Sequence, residues 1–295
     1  MDLSVIVVNY NAREHLQSCL SSIQQHAGDI SCEQIVVDNA SSDDSAEYVA
    51  TNFPAVHLLR NATNLGFGRA CNQAFAVSRG DFLLLLNPDA RLAAGSLAEA
   101  VRYLRQHPEI GILGGKVLNP DGSLQPACRR AIPTPRSAFF HFAGLSRMFP
   151  RHRKFGEYNL TFLDADDTAE VGAVSGSFLM ARREVMESIL GFDERFFIYG
   201  EDLDLCLRAV CAGKKVVYWP SITAVHSKGG SVKSRRFASW FHFYHAMWLF
   251  YRKHYYGQNP WWKNGAVYAA IWLSALPSLF WNAVKSTFLR WRKNK

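Results

Sequence analysis

The chain has 295 residues, of which 48% are hydrophobic and 20% are charged. This length and composition exclude a disordered chain and a coiled coil, and they predict a globular protein of one large domain with room for an appendage. The net charge of +8 is unevenly distributed. Residues 205–295 contain nine Lys, six Arg and no acidic residue, whereas residues 1–204 carry a net charge of −7. The two parts of the chain are therefore expected to face different surroundings.

The first part of the chain alternates between predicted strands and predicted helices. It begins with an apolar run at residues 3–8, typical of a parallel strand covered on both faces, and an amphipathic helix follows at about 12–25. Further strands are predicted at 35–37, 56–59, 82–86 and 110–116, and further helices at 43–52, 67–78 and 96–106. This alternation predicts an α/β domain with a Rossmann-like, mostly parallel central sheet flanked by helices.

The pattern weakens after residue 118. Asn119-Pro-Asp-Gly122 predicts a hairpin turn, and the prolines and weak periodicity of residues 129–167 predict a long irregular excursion. Order returns with regular structure at 171–180, a helix at about 202–212 and strands at 215–219 and 222–225. A boundary near Ser227 is expected, dividing the chain into an α/β domain (1–227) and a basic C-terminal region (228–295).

Polar residues end three of the predicted strands. Asn9 and Asn11 follow the first strand, Asp38 follows the second, and Asn87 and Asp89 follow the strand at 82–86. Ligands of open parallel sheets bind beyond the carboxyl ends of the strands, so these side chains are expected at one site. Asp89 is the best metal candidate among them, because Mg²⁺ and Mn²⁺ prefer carboxylate oxygens. Helix capping or turn formation by these residues is the alternative.

A glycine-rich segment runs from Asn64 through Gly66 to Asn72. It is similar to a phosphate-binding loop that enters a helix, where free N–H groups suit an anion. A dinucleotide-binding fingerprint is rejected, because that motif follows the first strand and the turn after this first strand has no glycine. Close packing without any ligand remains an equal explanation of the glycines.

Glu201, Asp202 and Asp204 bring three carboxylates to the start of a predicted helix. Successive helix residues are rotated by about 100°, so one or two of these side chains can face a common cleft, as a catalytic base requires. The alternative is a charged first turn that complements the helix dipole. The aromatic residues at 196–199 are a poor setting for charge that is only solvated.

His226 ends a predicted strand and precedes a basic loop that contains Lys233 and Arg235. The histidine can complete a metal site, and the loop can close over phosphate groups as a set of charge-assisted donors. A surface histidine beside a solvated basic loop is the alternative.

The C-terminal region combines basic and aromatic residues. Ten of residues 237–256 are Phe, Tyr or Trp, and the 21 residues 264–284 carry no charge. This length is just enough to span a bilayer core, but Pro277 interrupts it and lysines flank it, so we favour a helix at an anionic membrane surface. A helical hairpin packed on the α/β domain is one alternative. A nucleic-acid groove is the other, which the apolar length disfavours, so no nucleic-acid partner is expected.

Together, these motifs resemble the family 2 glycosyltransferases of the GT-A fold, particularly the bacterial rhamnosyltransferase-like members. The resemblance covers about residues 3–226, and motifs that are weak singly are highly specific in this order and spacing. They are residues 4–11, 37–43, 64–68 with Asn72, 86–89, 176–180, 191–193 and 197–208, and His226.

The resemblance implies an inverting enzyme that moves rhamnose or another deoxyhexose from a nucleoside-diphosphate donor, such as dTDP-rhamnose. In this family the residue matching Asp38 holds the nucleobase, and the element matching Asn87-Pro-Asp89 holds a divalent cation, Mg or Mn. Asn87 replaces the first aspartate of that element, so Asp89 carries the metal assignment with His226. Asp202 maps to the general base, with Glu201 beside it and Asp204 as second choice.

The acceptor implied by the resemblance is a polyprenyl-diphosphate-linked saccharide in cell-surface polysaccharide synthesis, with Gly176 and Ser177 in the acceptor-binding segment. A lipid-linked acceptor and a membrane-surface helix place the protein at the cytoplasmic face of the cell membrane, peripheral or monotopic. Two other functions stay open. A nucleotidyltransferase would need a lysine-bearing glycine loop at the first turn, which is missing, and a non-catalytic nucleotide-binding membrane adaptor leaves Glu201, Asp202 and Asp204 unexplained.

Overall fold

The computed structural model describes residues 1–227 and 236–276. Its strands are β1 (Leu3–Asn9), β2 (Cys32–Asp38), β3 (His57–Arg60), β4 (Phe82–Leu86), β5 (Ala90–Ala94), β6 (Ile110–Leu118), β7 (Arg129–Arg130), β8 (Ala169–Glu170), β9 (Ala173–Val174), β10 (Phe178–Arg182) and β11 (Lys215–His226). Its helices are α1 (Arg13–His26), α2 (Ser45–Asn52), α3 (Phe67–Val77), α4 (Leu97–Gln106), α5 (Pro135–Phe142), α6 (Leu145–Met148), α7 (Arg183–Ser188), α8 (Glu201–Cys211) and α9 (Arg236–His254). Residues 261–276 are also helical.

Within the described residues, nine strands form one central sheet. The order is β3-β2-β1-β4-β10-β6-β11-β5, and β8 pairs with β11. β1 is parallel to β2 and β4, β2 to β3, and β6 to β11, whereas β10 runs antiparallel between β4 and β6. Six of the nine strands therefore point the same way, which confirms the predicted mostly parallel α/β sheet flanked by helices.

The apolar runs of the sequence form the centre of this sheet. Every residue of β1 and β4 is buried, as expected for strands covered on both faces. α1 buries Leu16, Cys19, Leu20 and Ile23 against the sheet, and these are the positions whose helical spacing predicted this helix. The sheet and its covering helices thus fix the positions of the strand ends.

The later part of the chain differs from expectation in two ways. β11 is one strand where two were predicted. Its pairing with β6 shifts between Tyr218 and Thr223, and Pro220 lies in that interval without an N–H to donate. The segment expected to be irregular contains α5 and α6, and α5 is initiated by a capping box between Thr134 and Ser137.

α9 and helical residues 261–276 form an antiparallel hairpin, which we call the C-terminal hairpin. The Tyr251 hydroxyl donates to Asn264 Oδ1 at 2.9 Å, and the Tyr244 hydroxyl donates to the Ser274 carbonyl at 3.1 Å. Ala246, Leu249 and Phe250 of α9 belong to the main hydrophobic core. The described part of the basic C-terminal region therefore shares the core of the α/β domain.

Within residues 1–227 and 236–276, no helix combines the length and the hydropathy needed to cross a bilayer. Part of the predicted uncharged stretch at 264–284 lies outside the described residues, as do Lys233 and Arg235 of the basic loop.

Candidate active site

A cavity of about 1060 Å³ opens where the carboxyl ends of β1, β2, β4 and β11 meet, and we call it the cleft. Nine residues that the sequence suggested for the site line it. They are Asn64, Gly66, Asn87, Asp89, Gly176, Ser177, Glu201, Asp202 and His226. Five others, namely Asn9, Asn11, Asp38, Asn72 and Asp204, are not among its lining residues. The cleft thus gathers side chains that lie far apart in the sequence.

Asp89 and His226 lie side by side at the edge of the sheet. His226 Nε2 is 3.0 Å from Asp89 Oδ1, and both side chains are mostly buried. The pairing of β11 with β5, with His226 opposite Ala90, brings the two residues together. The Asn87 side-chain amide is 3.3 Å from the same imidazole nitrogen.

Gln125 fixes the orientation of the His226 ring. The Gln125 Nε2 group donates to the His226 carbonyl at 2.7 Å, which turns its Oε1 toward His226 Nδ1 at 3.0 Å. Nδ1 is therefore the donor in that contact, and Nε2 faces Asp89. A metal-binding histidine is usually oriented in this way, by a hydrogen bond from its other ring nitrogen.

The donor set at this pair fits a divalent cation. Two adjacent ligands of an octahedral Mg²⁺, each at about 2.1 Å, lie about 3.0 Å apart, and this is the separation of Asp89 Oδ1 and His226 Nε2. No group of three or more His, Cys, Asp or Glu side chains with metal-site geometry occurs among the described residues. Two protein ligands are enough for Mg²⁺ or Mn²⁺ when substrate phosphates and water supply the rest.

Asp202 is held in the wall of the cleft by three hydrogen bonds. Its Oδ2 accepts from Arg130 Nη2 at 2.6 Å and from the Gly176 N–H at 3.1 Å, and its Oδ1 accepts from the Leu203 N–H at 2.8 Å. An ionised carboxylate has about four acceptor positions. Oδ1 therefore keeps the capacity to accept a hydrogen bond from a hydroxyl in the cleft.

Glu201 shares the cleft but has a different environment. Burial, together with the neighbouring charge of Asp202, raises the pKa of Glu201 to about 8. Its Oε2 is buried without a hydrogen-bond partner among the described residues. Of the two adjacent carboxylates, Asp202 carries the ion pair with Arg130, and Glu201 favours its neutral form near pH 7.

Asp204 points into the protein instead of into the cleft. Its fully buried carboxylate accepts from Arg208 Nε at 2.8 Å, lies 2.7 Å from His254 Nε2, and pairs with Lys253 Nζ at 2.6 Å. Burial disfavours its charged form, but these partners outweigh burial and lower the pKa of Asp204. We therefore correct its candidate role as a base: Asp204 attaches α8 to α9, because helix geometry turns it away from Asp202.

Asp38 and Asn9 lie beneath the wall of the cleft. Asp38 is 4% exposed, and its carboxylate accepts from Asn9 Nδ2 and from the Ser41 N–H, each at 3.0 Å. Asn11 joins the loop after β1 to the loop after β2, since its Oδ1 accepts from the Ser42 N–H at 2.7 Å. The structure thus places these three side chains in the turns that support the site, as the alternative of turn formation expected.

The glycine-rich segment lines the cleft, and it is also tightly packed. Gly66 has a positive φ of +87°, and a Cβ there would lie 2.6 Å from the Phe197 carbonyl oxygen. The Phe67 N–H donates to that carbonyl at 2.7 Å. Asn72 is not in the cleft, because its amide is bonded to the backbone N–H and carbonyl of Phe192, both at 2.9 Å.

Arg130 and Asn39 line the cleft and have contacts that the sequence did not predict. Arg130 lies in the segment expected to be irregular, and only the pairing of β7 with β9, with Arg130 opposite Ala173, carries it to Asp202. Asn39 lines the cleft and binds the glycine-rich loop, with its Nδ2 donating to Asn64 Oδ1 at 3.0 Å. Its position directly after a predicted strand was the available signal.

A short segment connects the Asp89–His226 pair to Asp202. The Asn87 N–H donates to the Ser177 carbonyl at 3.4 Å, and the neighbouring Gly176 N–H donates to Asp202. A cation-binding pair and a buried carboxylate therefore face one cavity from either side of residues 175–177. Such a site can bind a diphosphate at one end and take a proton from a hydroxyl at the other.

Solved structures support the fold assignment. The chain is similar to a mannosyltransferase from Pyrobaculum calidifontis solved in complex with GDP-Man and Mn²⁺, with a TM-score of 0.59 and 19% sequence identity. The match covers 96% of this chain and 75% of that one. The GT-A fold expected from the sequence is thereby confirmed.

Sequence comparisons identify the family. The family model for glycosyl transferase family 2 matches residues 4–190. The chain is 32% identical to the N-acetylglucosaminyl-diphospho-decaprenol L-rhamnosyltransferase of Mycobacterium tuberculosis, over 78% of this chain and 77% of that protein. It is 24% identical to the rhamnosyltransferase WbbL of Escherichia coli, over 75% of this chain and 82% of that protein. The chain therefore belongs to glycosyltransferase family 2.

Proposed function

We propose that this glycosyltransferase moves rhamnose, or another deoxyhexose, from a nucleoside-diphosphate donor such as dTDP-rhamnose to a polyprenyl-diphosphate-linked saccharide. Two relatives are rhamnosyltransferases, which supports the sugar, and the mycobacterial relative acts on N-acetylglucosaminyl-diphospho-decaprenol, which supports an acceptor of this kind. The reaction would take place at the cytoplasmic face of the cell membrane, with the protein bound peripherally or monotopically, as part of cell-surface polysaccharide synthesis.

Asp202 is the general base of the proposed reaction. Its carboxylate takes the proton from the acceptor hydroxyl while that oxygen attacks C1 of the sugar, and the bond from C1 to the diphosphate breaks in the same displacement. The configuration at C1 is inverted, and no covalent enzyme intermediate forms. Arg130 and the Gly176 N–H hold the carboxylate in position for this transfer.

Asp89 and His226 are the proposed ligands of a divalent cation, Mg²⁺ or Mn²⁺. The support is the 3.0 Å separation of Asp89 Oδ1 and His226 Nε2 and the Gln125 contact that orients the imidazole. When bound, the cation neutralises charge on the diphosphate leaving group. Asn64 and Gly66, on the loop after β3, line the part of the cleft proposed for the nucleoside end of the donor, and Asn39 holds that loop in place.

One observation carries this proposal. Asp202, Asp89 and His226 face a single cleft that adjoins both the strand ends and the C-terminal hairpin. A donor at the strand ends and an acceptor hydroxyl near Asp202 would be brought together there, as glycosyl transfer requires.

The test is the substitution Asp202→Asn, measured for both transfer and donor binding. Loss of the base should reduce turnover by about 10²–10⁴-fold, whereas the calorimetric affinity for the nucleotide-sugar should be retained. Asp121→Asn, in an exposed turn, is the matched control and should keep wild-type turnover. Turnover by the Asp202 variant close to wild type would remove Asp202 as the base.

The released product distinguishes the proposed reaction from nucleotidyl transfer. Glycosyl transfer releases a nucleoside diphosphate, whereas nucleotidyl transfer releases pyrophosphate. Formation of pyrophosphate would contradict the proposed function. A nucleotide-binding adaptor would release neither.

A further inference from the structure

One half of the cleft is apolar, and sugar transfer by itself gives no reason for it. Its walls come from α5, α9 and the helical residues 261–276. The large side chains that face it are Phe139, Phe142, Phe243, Met247, Val267 and Ile271. The whole cleft, at about 1060 Å³, is at the upper limit of the range of about 300–1,000 Å³ for sites that hold one small ligand. A polar nucleotide-sugar gains little from the apolar walls, so this half suits a different part of the substrates.

The second helix of the C-terminal hairpin presents one face to the cleft. Val267, Ala270, Ile271 and Ser274 all line it, and they recur at intervals of three and four residues. Three of the four are apolar, so this face forms a hydrophobic stripe along the wall. The opposite wall is α5, whose Phe142 ring lies edge-on to the Phe243 ring of α9 at 6.4 Å.

The apolar half directly adjoins the reacting groups. Tyr255, which follows α9, donates to the Pro133 carbonyl at 3.0 Å, and Pro133 is three residues beyond Arg130. The Phe197 ring stacks on His242 of α9 at 4.4 Å, and the Phe197 carbonyl accepts from the glycine-rich loop. A molecule bound with one end near Asp202 can therefore extend along α9 without leaving the cleft.

The elements that form these walls also expose large apolar side chains. Of the fifteen large hydrophobic side chains that are exposed among the described residues, nine lie on α5, on α9 or in residues 256–276. Phe139 is 65% exposed and lines the cleft at the same time, and Trp261 and Leu273 are 83% and 62% exposed. Concentration of exposed apolar groups on one part of a protein marks a site of contact with lipid or protein.

We propose that the apolar half of the cleft holds the first isoprene units of the acceptor's polyprenyl chain, which leaves the cleft over the exposed phenylalanines of α5. This inference rests on the proposed function, since it takes a polyprenyl-diphosphate saccharide as the acceptor. The order of side chains along the cleft matches the order of groups in this acceptor. Asp202 meets the acceptor sugar, and the Arg130 guanidinium adjoins the place of the acceptor diphosphate. The hydrocarbon then lies against α5, α9 and the hydrophobic stripe.

The test places a large side chain on the hydrophobic stripe, where it fills part of the apolar half of the cleft. Ala270 lines the cleft and is exposed, so Ala270→Trp can occupy the apolar half with little effect on the core. Ala269→Trp is the matched control, because Ala269 is the adjacent exposed residue and does not line the cleft. Transfer is measured with two acceptors that share N-acetylglucosaminyl diphosphate and differ in carrying a farnesyl or an ethyl group.

The wild-type enzyme should prefer the farnesyl acceptor, because apolar area buried on binding stabilises the complex. Ala270→Trp should reduce the ratio of kcat/KM for the farnesyl acceptor to that for the ethyl acceptor by about tenfold or more, the loss expected for a few displaced methylene groups. Ala269→Trp should retain the wild-type ratio. Calorimetric binding of farnesyl phosphate, compared with ethyl phosphate, should show the same pattern without any turnover.

The outcomes separate this inference from the proposed function. Efficient transfer to both acceptors with no dependence on chain length would overturn the inference and leave the proposed function standing. Chain-length-dependent binding of farnesyl phosphate that is lost in Ala270→Trp, without transfer to either acceptor, would support the apolar site and count against the proposed acceptor. Equal ratios in Ala270→Trp and the wild type would overturn the inference.

Discussion

The two halves of the cleft are built from different kinds of secondary structure. In the polar half, Asp89 and His226 lie on loops and strand ends, and the backbone ladder between β5 and β11 sets their separation. In the apolar half the walls are helices, which no ladder connects to the sheet. Side chains attach α9 to the neighbouring helix α8 instead, chiefly Asp204 of α8 with Lys253 and His254 of α9.

The comparison shows how one site can serve two kinds of substrate. A sheet edge holds polar groups at fixed distances, as a charged donor requires. Packed helices offer a continuous apolar surface, which suits a long hydrocarbon. Asp202 lies at the junction, on the helix that contacts both halves.

The largest effect is expected from the polar half. Asp89→Ala should lower kcat/KM by about 10³-fold, since a cation that stabilises the leaving group contributes several kcal/mol to transition-state binding. The calorimetric affinity for the donor should also lose its dependence on Mn²⁺. Asp167→Ala, at an exposed aspartate outside the cleft, is the control. Manganese-dependent donor binding that persists in Asp89→Ala would contradict the metal assignment.

Loss of the Asp204 contacts, which connect the two halves of the cleft, should have a large effect on stability. Asp204→Asn should lower the free energy of unfolding by about 3 kcal/mol, because it removes the charge of a fully buried carboxylate that pairs with Arg208 of α8 and Lys253 of α9. Chemical denaturation measures this loss. Glu187→Gln removes an exposed ion pair with Arg183 and should change stability by less than about 1 kcal/mol. Similar losses in the two variants would show that the buried cluster does not hold the helices together.

The substitution Arg130→Gln tests how Asp202 is positioned at the junction of the two halves of the cleft. The variant loses the ion pair that positions Asp202, so kcat should fall by about 10²-fold, with a smaller change in KM for the donor. Arg129→Gln is the control, since Arg129 bonds to the carbonyls of Leu163 and Asp164 and stacks on Tyr218. That control should lose stability but retain kcat per folded molecule. An unchanged kcat in Arg130→Gln would contradict the positioning role.

A prediction of a different kind concerns the pH dependence of stability. The folded protein raises the pKa of Glu201 from an ordinary 4.5 to about 8, so folding favours the protonated form. The resulting stabilisation is fully present below about pH 4.5 and is lost as the pH rises through about 8. Glu201→Gln stays neutral and should lose less stability over this interval, measured by urea denaturation at several pH values. Parallel pH profiles for the variant and wild type would contradict the neutral Glu201.

Much of the polar half of the cleft was predictable from the sequence, and the apolar half was less so. Asp89 and His226 follow short apolar runs. Such runs can be recognised as strands from a few neighbouring residues. Arg130 gave no such signal, because its place depends on a two-residue pairing with β9. The separate roles of Asp202 and Asp204 were also hidden, since both occupy the first turn of α8 and only their partners distinguish them.

The sequence by itself determined the α/β alternation, the strand ends that meet at one edge and the family resemblance, because these follow from local patterns of polarity. Tertiary structure decided which of the three carboxylates on α8 faces the cleft, and that the basic, aromatic C-terminal region forms its apolar wall. Those outcomes depend on contacts between segments far apart in the chain, such as Asp204 with Lys253 and Phe142 with Phe243. Local propensity carries no information about such contacts, whose free energy exists only once the chain has folded.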